Sequence, residues 1–229
     1  MRRRAPLALF LLLIACADNP VAPKLDPGGL GELALLNALT AGDVASVHLD
    51  GALMGMPPTG QSGTALVAAG VHRLQAIGGS GEVLASVTFT MVGGAHRTAV
   101  MSGGPGRPVL LVTPLDTAAV PLVGAAKVRL VHTAPDAATV DAYLFGNGQA
   151  ADSSTRFVSG FHYGSGTDPQ FPGYAVRPPG EYLILLKAVS NGQPILQAGP
   201  ITLNGGDVYS FVLAQDMNGQ LELRTVKEH

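Results

Sequence analysis

The sequence predicts an all-β fold built as two tandem units of sandwich or barrel type. Three observations predict it. Short runs rich in Val, Leu, Thr and Tyr lie between turn residues at regular spacing. Glycine and proline are abundant, 30 and 17 of 229 residues, which favours many turns over long helices. And the chain repeats itself, in constant order, from its first half to its second.

The elements follow in chain order. Arg2-Arg3-Arg4, an apolar run from Ala5 to Ile14 and the small residue Ala15 form the three parts of a signal peptide over 1–15. The run is about half the roughly 20 residues a membrane-spanning helix needs. Leu13-Ile14-Ala15-Cys16 resembles the bacterial lipobox, in which the cysteine is acylated and becomes the new N-terminus. That resemblance implies export to a bacterial envelope and anchoring through acyl chains on Cys16, the chain's single cysteine. Ala17, where a retention signal would place Asp, points to an outer membrane if the organism has one. Residues 16–30, with Pro20, Pro23 and Pro27, read as the lipidated cysteine and a flexible tether. Extended, its 13 residues from Ala17 to Gly29 reach about 45 Å.

The first unit covers 31–113 and the second 125–229, joined by an apolar linker over 114–124. Glu32–Leu39 aligns with Lys127–Ala134 and His48–Gly51 with Tyr143–Gly146, both at an offset of 95. Ala69–Leu74 aligns with Pro179–Ile184 at 110, and Gly93–Val100 with Gly205–Val212 at 112. Duplication followed by loop insertion gives this pattern, with about 15 extra residues between Gly146 and Gly180. Strands are expected at Val83–Val92, Lys127–His132, Val140–Phe145, Tyr182–Val189, Val208–Ala214 and Leu221–Val226. Leu33, Leu36 and Leu39 also fit a helical stripe, but the repeat mate Val128-Arg129-Leu130-Val131 alternates with β-branched residues, so Leu30–Leu39 is read as strand. Asn191-Gly192 and Asn204-Gly205 supply residues that accept positive φ in tight turns.

Composition excludes several classes. Hydrophobic content of 47% is ample for a core, and 13% charge is well below the usual quarter. Without Arg2, Arg3 and Arg4 the chain holds 11 basic and 16 acidic residues, a net charge of -5. An acidic chain without a Lys/Arg run argues against nucleic-acid binding and against a polybasic membrane patch. With Cys16 committed to lipid, no disulfide forms within the chain.

Val128-Arg129-Leu130-Val131-His132-Thr133-Ala134-Pro135-Asp136-Ala137, followed by Val140-Asp141-Ala142-Tyr143, resembles a bacterial repeat, domain-of-unknown-function family 4397. Pro179-Gly180-Glu181-Tyr182 and Leu203–Tyr209 resemble its second half. The resemblance covers about 125–215. In the first copy it is degenerate: Asn37 stands for His132, Thr40-Ala41 for Pro135-Asp136 and Ser46 for Asp141. It implies two tandem immunoglobulin-like antiparallel β-sandwich domains on a secreted or lipid-anchored protein, and it implies no catalytic residue.

Two clusters carry candidate chemistry. His132, Asp136 and Asp141 have the residue types of a metal or acid–base site. Alternation gives them structural roles instead: His132 shares the core face of Val128 and Leu130, Asp136 follows Pro135 in a turn, and Asp141 lies opposite Val140 and Ala142. Residues 150–174 hold five of the 12 Phe and Tyr residues, Phe157, Phe161, Tyr163, Phe171 and Tyr174, with His162 among them. Phe161, His162, Tyr163, Phe171 and Tyr174 are the candidate contact surface for a glycan, a peptide or an envelope protein. The alternative is a hairpin that caps the sandwich and buries those rings. The six histidines show no zinc spacing, and no nucleophile elbow, phosphate-binding loop or Ca²⁺ loop occurs. The expectation is a non-catalytic protein with no cofactor and no metal, serving surface display, adhesion or assembly.

Overall fold

The computed structural model describes residues 28–39, 44–103, 108–113, 122–146, 148–164, 173–216 and 218–228. The signal peptide, Cys16, the tether to residue 27 and linker residues 114–121 lie outside the described residues. Among those described there are strands and no helix. The first eight strands are β1 (Leu30–Leu39), β2 (Val44–Leu49), β3 (Ala52–Leu53), β4 (Ser62–Ala68), β5 (Gly70–Gly78), β6 (Val83–Met91), β7 (His96–Gly103) and β8 (Val109–Val112). The next eight are β9 (Ala126–His132), β10 (Val140–Gly146), β11 (Arg156–Phe161), β12 (Ala175–Arg177), β13 (Gly180–Ala188), β14 (Pro194–Leu203), β15 (Val208–Gln215) and β16 (Leu221–Lys227).

They form four four-stranded sheets. Sheets β4-β1-β7-β8 and β3-β2-β5-β6 make the first sandwich; β12-β9-β15-β16 and β11-β10-β13-β14 make the second. The topology is the same twice, and so is the register. Glu32 lies opposite His96 and Lys127 opposite Val208. Leu49 lies opposite Leu74 and Leu144 opposite Ile184. Gly70 lies opposite Met91 and Gly180 opposite Leu203. The offsets legible in the sequence carry each of these first-sandwich pairs onto its counterpart. The sequence resemblance implied antiparallel sandwiches, but each contains one parallel pair: β1 runs parallel to β7, and β9 to β15. The first strand of each unit enters beside the seventh, so the rest of the sandwich serves as the crossover that a parallel pair requires.

Alternation fills each interior. Leu33, Leu35, Val47, Leu74, Ala76, Phe89, Met91 and Met101 pack in the first, and Val128, Leu130, Ala142, Leu144, Ile184, Leu186, Phe211 and Leu213 in the second. Each fully buried Leu, Ile or Phe among them contributes about 1.5–3 kcal/mol. A third cluster joins the two: Leu36 and Ala38 of β1 and Val100 of β7 meet Val131 of β9, Val212 of β15 and Val226 of β16. The four sheets therefore stack, with the two inner sheets covered on both faces. This explains why Leu30–Leu39 mimics a helical stripe: nearly every β1 side chain is buried, so the period of two is hidden.

One backbone device recurs. Gly70 and Gly180 open β5 and β13 with φ of 148° and 156°, where a side chain is strained. Two residues on, His72 Nε2 meets the Ala68 carbonyl at 2.8 Å, and the Tyr182 hydroxyl donates to the Pro178 carbonyl at 3.0 Å. Different side chains thus bond the carbonyl four residues back from the same strand start.

Candidate functional site

The sequence places its candidates in the second sandwich, and the structure separates them. His132, at the end of β9, is fully buried. Its Nδ1 accepts the Ala134 N–H at 3.4 Å, which leaves Nε2 protonated and facing the Ala138 carbonyl at 3.4 Å. That pattern suits a neutral ring. Burial lowers the His132 pKa below the ordinary histidine value, and nearby His162 acts in the same direction. In the first sandwich the equivalent Asn37 does the same work: its Oδ1 accepts the Leu39 N–H at 3.1 Å and its Nδ2 donates to the Pro57 carbonyl at 2.8 Å. The two residues share a role, namely to close the end of the strand onto a following loop.

Asp141 sits on the other sheet of the sandwich and on its outer face. Its carboxylate accepts the Gly160 N–H at 2.9 Å, the Ser159 hydroxyl at 3.1 Å and Arg156 Nη1 at 3.1 Å. Burial by itself would raise the Asp141 pKa, but these three donors and the Arg156 charge outweigh it and hold the carboxyl below the ordinary range. All three donors lie on β11, in the inserted segment, so Asp141 fastens the insertion to the sheet. Asp136 is exposed in its turn, and its N–H faces Gln215 Oε1 at 3.4 Å. The trio does not converge, and among the described residues no group of three His, Cys, Asp or Glu is placed to hold a metal.

The aromatic segment divides as well. Phe161 is 3% exposed in the second core, and Phe157 packs against that core. Tyr174 turns to the opposite sheet, where its hydroxyl donates to Glu228 Oε2 at 2.7 Å and its ring lies 4.6 Å from the Arg129 guanidinium carbon. His162 and Tyr163 are exposed, and Phe171 lies outside the described residues. The segment is held in place by the Gly164 N–H, which donates to the His132 carbonyl at 2.9 Å.

Two features escaped sequence reasoning. Arg129, 3% exposed on β9, forks onto both carboxylate oxygens of Glu228 from Nη2 at 2.9 and 3.0 Å, and its Nε donates to the Ser210 hydroxyl at 2.7 Å. Ser210 also donates to Glu228. Arg129 and Glu228 stand 99 residues apart, so no local pattern links them. The second feature is a shallow pocket of about 220 Å³ lined by Glu181, Tyr182, Leu183 and Pro200. It forms where the β13–β14 register shifts between Tyr182 and Ile184. There Gly199, with φ of 123°, comes so close that a Cβ would lie 2.8 Å from the Tyr182 carbonyl oxygen. A glycine before a proline is the faint signal the sequence carries for it.

These features define an all-β protein of stacked sandwiches, in which the polar side chains described fasten strand ends and loops. Residues 31–143 match the model of a family described as Domain of unknown function (DUF4397), which supports that domain family for the first sandwich and the opening strands of the second. The match includes Val128–Tyr143, but it runs over the first copy, whereas the sequence resemblance centres on 125–215. No curated protein matches the chain.

Three solved structures are similar. One is a product complex of a multi-modular glycogen-degrading pneumococcal virulence factor, SpuA, at 10% identity and a TM-score of 0.29 over 86% of this chain; the chain spans 22% of that protein's length. Another is the family 26 carbohydrate-binding module CBMbc of Eubacterium rectale Amy13K in complex with maltoheptaose, at 12% identity and a TM-score of 0.25, covering 87% of this chain and 97% of that one. The third is a putative cell adhesion protein from Bacteroides eggerthii, at 12% identity and a TM-score of 0.27, covering 89% and 96%. Scores this low carry no argument about what the chain binds.

Proposed function

We propose that this is a non-catalytic bacterial envelope protein, anchored by acyl chains on Cys16, that holds two stacked β-sandwiches off a membrane for surface display, adhesion or assembly. One observation carries the non-catalytic reading: the polar residues with the best catalytic credentials, His132 and Asp141, are engaged in closing a strand end and fastening an insertion, on different sheets. The anchor rests on Leu13-Ile14-Ala15-Cys16 and its basic, apolar lead-in. Two acyl chains hold a protein stably at a bilayer where one does not.

Metabolic labelling with an alkyne fatty acid, followed by membrane fractionation, tests the anchor. The wild-type chain is expected to take up label and sediment with membranes, and Cys16→Ser to lose both. Label retained by Cys16→Ser would overturn the anchor.

A contact surface for a glycan or peptide on the 150–174 segment is the second reading, and the exposure of His162 and Tyr163 favours it. Deleting the segment is an unsuitable test, because Phe161 belongs to the core.

A further inference from the structure

We propose that the free edge of β4 is a self-association edge, which pairs antiparallel with β4 of a second copy of this chain. Among the described residues, β4 pairs within its sheet with β1 alone. Its ladder fixes which backbone groups are free. Asn37 N–H bonds the Gln61 carbonyl, and Ala69 N–H bonds the Gly29 carbonyl, at the two ends of the β1–β4 register. Alternate residues of an antiparallel strand turn both backbone groups to the same side. Gly63, Ala65 and Val67 therefore face β1, while Ser62, Thr64, Leu66 and Ala68 face away.

Both ends of that edge also make contacts outside the ladder. The Ala68 carbonyl is bonded by His72 Nε2 at 2.8 Å. Ser62 abuts the second sandwich, where its hydroxyl donates to the Lys227 carbonyl at 3.0 Å. Between them, Thr64 and Leu66 offer two N–H and two C=O groups. Leu66 is 72% exposed beside them.

The usual protections of an edge are charge, proline, bulges, brevity or a cover. The other edges have them. β3, β12 and β8 are two, three and four residues long. β11 and β14 carry register shifts, and β16 carries Glu222, Arg224 and Lys227. β6 lies against β8 of the opposing sheet. β4 is seven residues, pairs with β1 without a register shift, and holds no proline. No charged residue or histidine occurs between Asp50 and His72.

The occupant that fits is a second β4. With Ala65 on the twofold axis, Thr64 of each copy stands opposite Leu66 of the other, and each pair exchanges two backbone hydrogen bonds. All four backbone groups that Thr64 and Leu66 turn outward are then used, no like charges meet, and each Leu66 packs beside a Thr64 methyl on the same face of the sheet. The β4-β1-β7-β8 sheets of the two copies become one of eight strands, β8-β7-β1-β4-β4-β1-β7-β8, with the axis between the copies of β4.

Sedimentation equilibrium of the chain from residue 16 onward tests this. It carries Cys16→Ser, so neither lipid nor a disulfide adds a contact, and failure here leaves the anchor untouched. The mass is expected to rise from monomer toward dimer with concentration. Leu66→Pro removes an N–H that points away from β1, so the native ladder stays whole. Leu66→Lys places a charge on the edge. Both variants are expected to stay monomeric at every concentration, with the wild-type circular dichroism spectrum. If Leu66→Pro unfolds, Leu66→Lys decides. A wild-type chain that is monomeric up to its solubility limit, or a dimer that persists in the folded variants, overturns the proposal.

Discussion

The two sandwiches share their topology and ladder registers, yet at equivalent places on their inner sheets they differ in charge. Where the first has Ala34, Thr64 and Thr98, the second has Arg129, Tyr174 and Ser210, closed by Glu228. Ala34 and Thr98 are as buried as Arg129. The difference teaches that the strand frame requires neither an ion pair nor its absence at this position. Burying two charges is unfavourable unless each is fully bonded, and the second sandwich meets that condition with a forked guanidinium, a serine and a tyrosine. The first sandwich is less complete, since the buried Thr98 and Ser102 hydroxyls have no partner among the described residues. The network also ties the end of the chain to the second sandwich: Glu228 N–H bonds the Val208 carbonyl, and the Glu228 carbonyl lies 3.4 Å from Ser62 Oγ of the first.

Removing one partner of the network gives the largest expected effect. Glu228→Ala leaves the Arg129 charge buried and uncompensated, so stability in urea unfolding is expected to fall by about 3–5 kcal/mol. Replacing both, as Arg129→Met with Glu228→Leu, makes this position apolar as in the first sandwich and is expected to recover most of the loss. Equal destabilisation in the single and double variants would show that the two residues are not coupled.

The next effect separates neighbours within the segment between β10 and β13, which is longer than its counterpart between β2 and β5 in the first sandwich. Phe161→Ala opens a cavity in the second core and is expected to cost about 3–5 kcal/mol, whereas Tyr163→Ala is expected to stay within about 0.5 kcal/mol of wild type. Matching melting temperatures for the two variants would place both rings outside the core.

The smallest effect exchanges equivalent residues. His132→Asn gives the second sandwich the side chain that the first uses at Asn37, and is expected to change stability little at neutral pH. The pH dependence should change. The folded pKa of His132 lies below its unfolded value, so below about pH 6.5 the unfolded chain binds the extra proton and stability falls as pH falls. His132→Asn removes that contribution. Urea midpoints measured at about pH 7 and about pH 5 are expected to converge in the variant relative to wild type. An unchanged pH dependence would show that His132 is not the titrating group.

Much of the frame was legible because its signals are local. Alternation in Val140–Phe145, turns at Asn191-Gly192, and the offsets of the repeat depend on residues close in sequence, and the duplication let one copy check the other. Leu30–Leu39 was readable as strand only through its mate. The candidate site was less legible. Alternation put His132 on the core face, where it lies, and Asp141 on the outer face, where it lies. It could not separate Phe161 in the core from Tyr174 on the ion pair, because those positions depend on partners on other strands. Arg129 reads in sequence as the solvent-facing residue of an alternating strand, yet the first sandwich covers that face.

The sequence by itself determined an all-β, duplicated chain, because hydrophobic period, turn residues and repeat spacing are short-range properties. Only the tertiary structure decided that the two sandwiches stack through their inner sheets, that Arg129 meets Glu228, and that β4 keeps an open edge. Each of these depends on which surfaces cover one another, and covering is a relation between residues far apart in the chain.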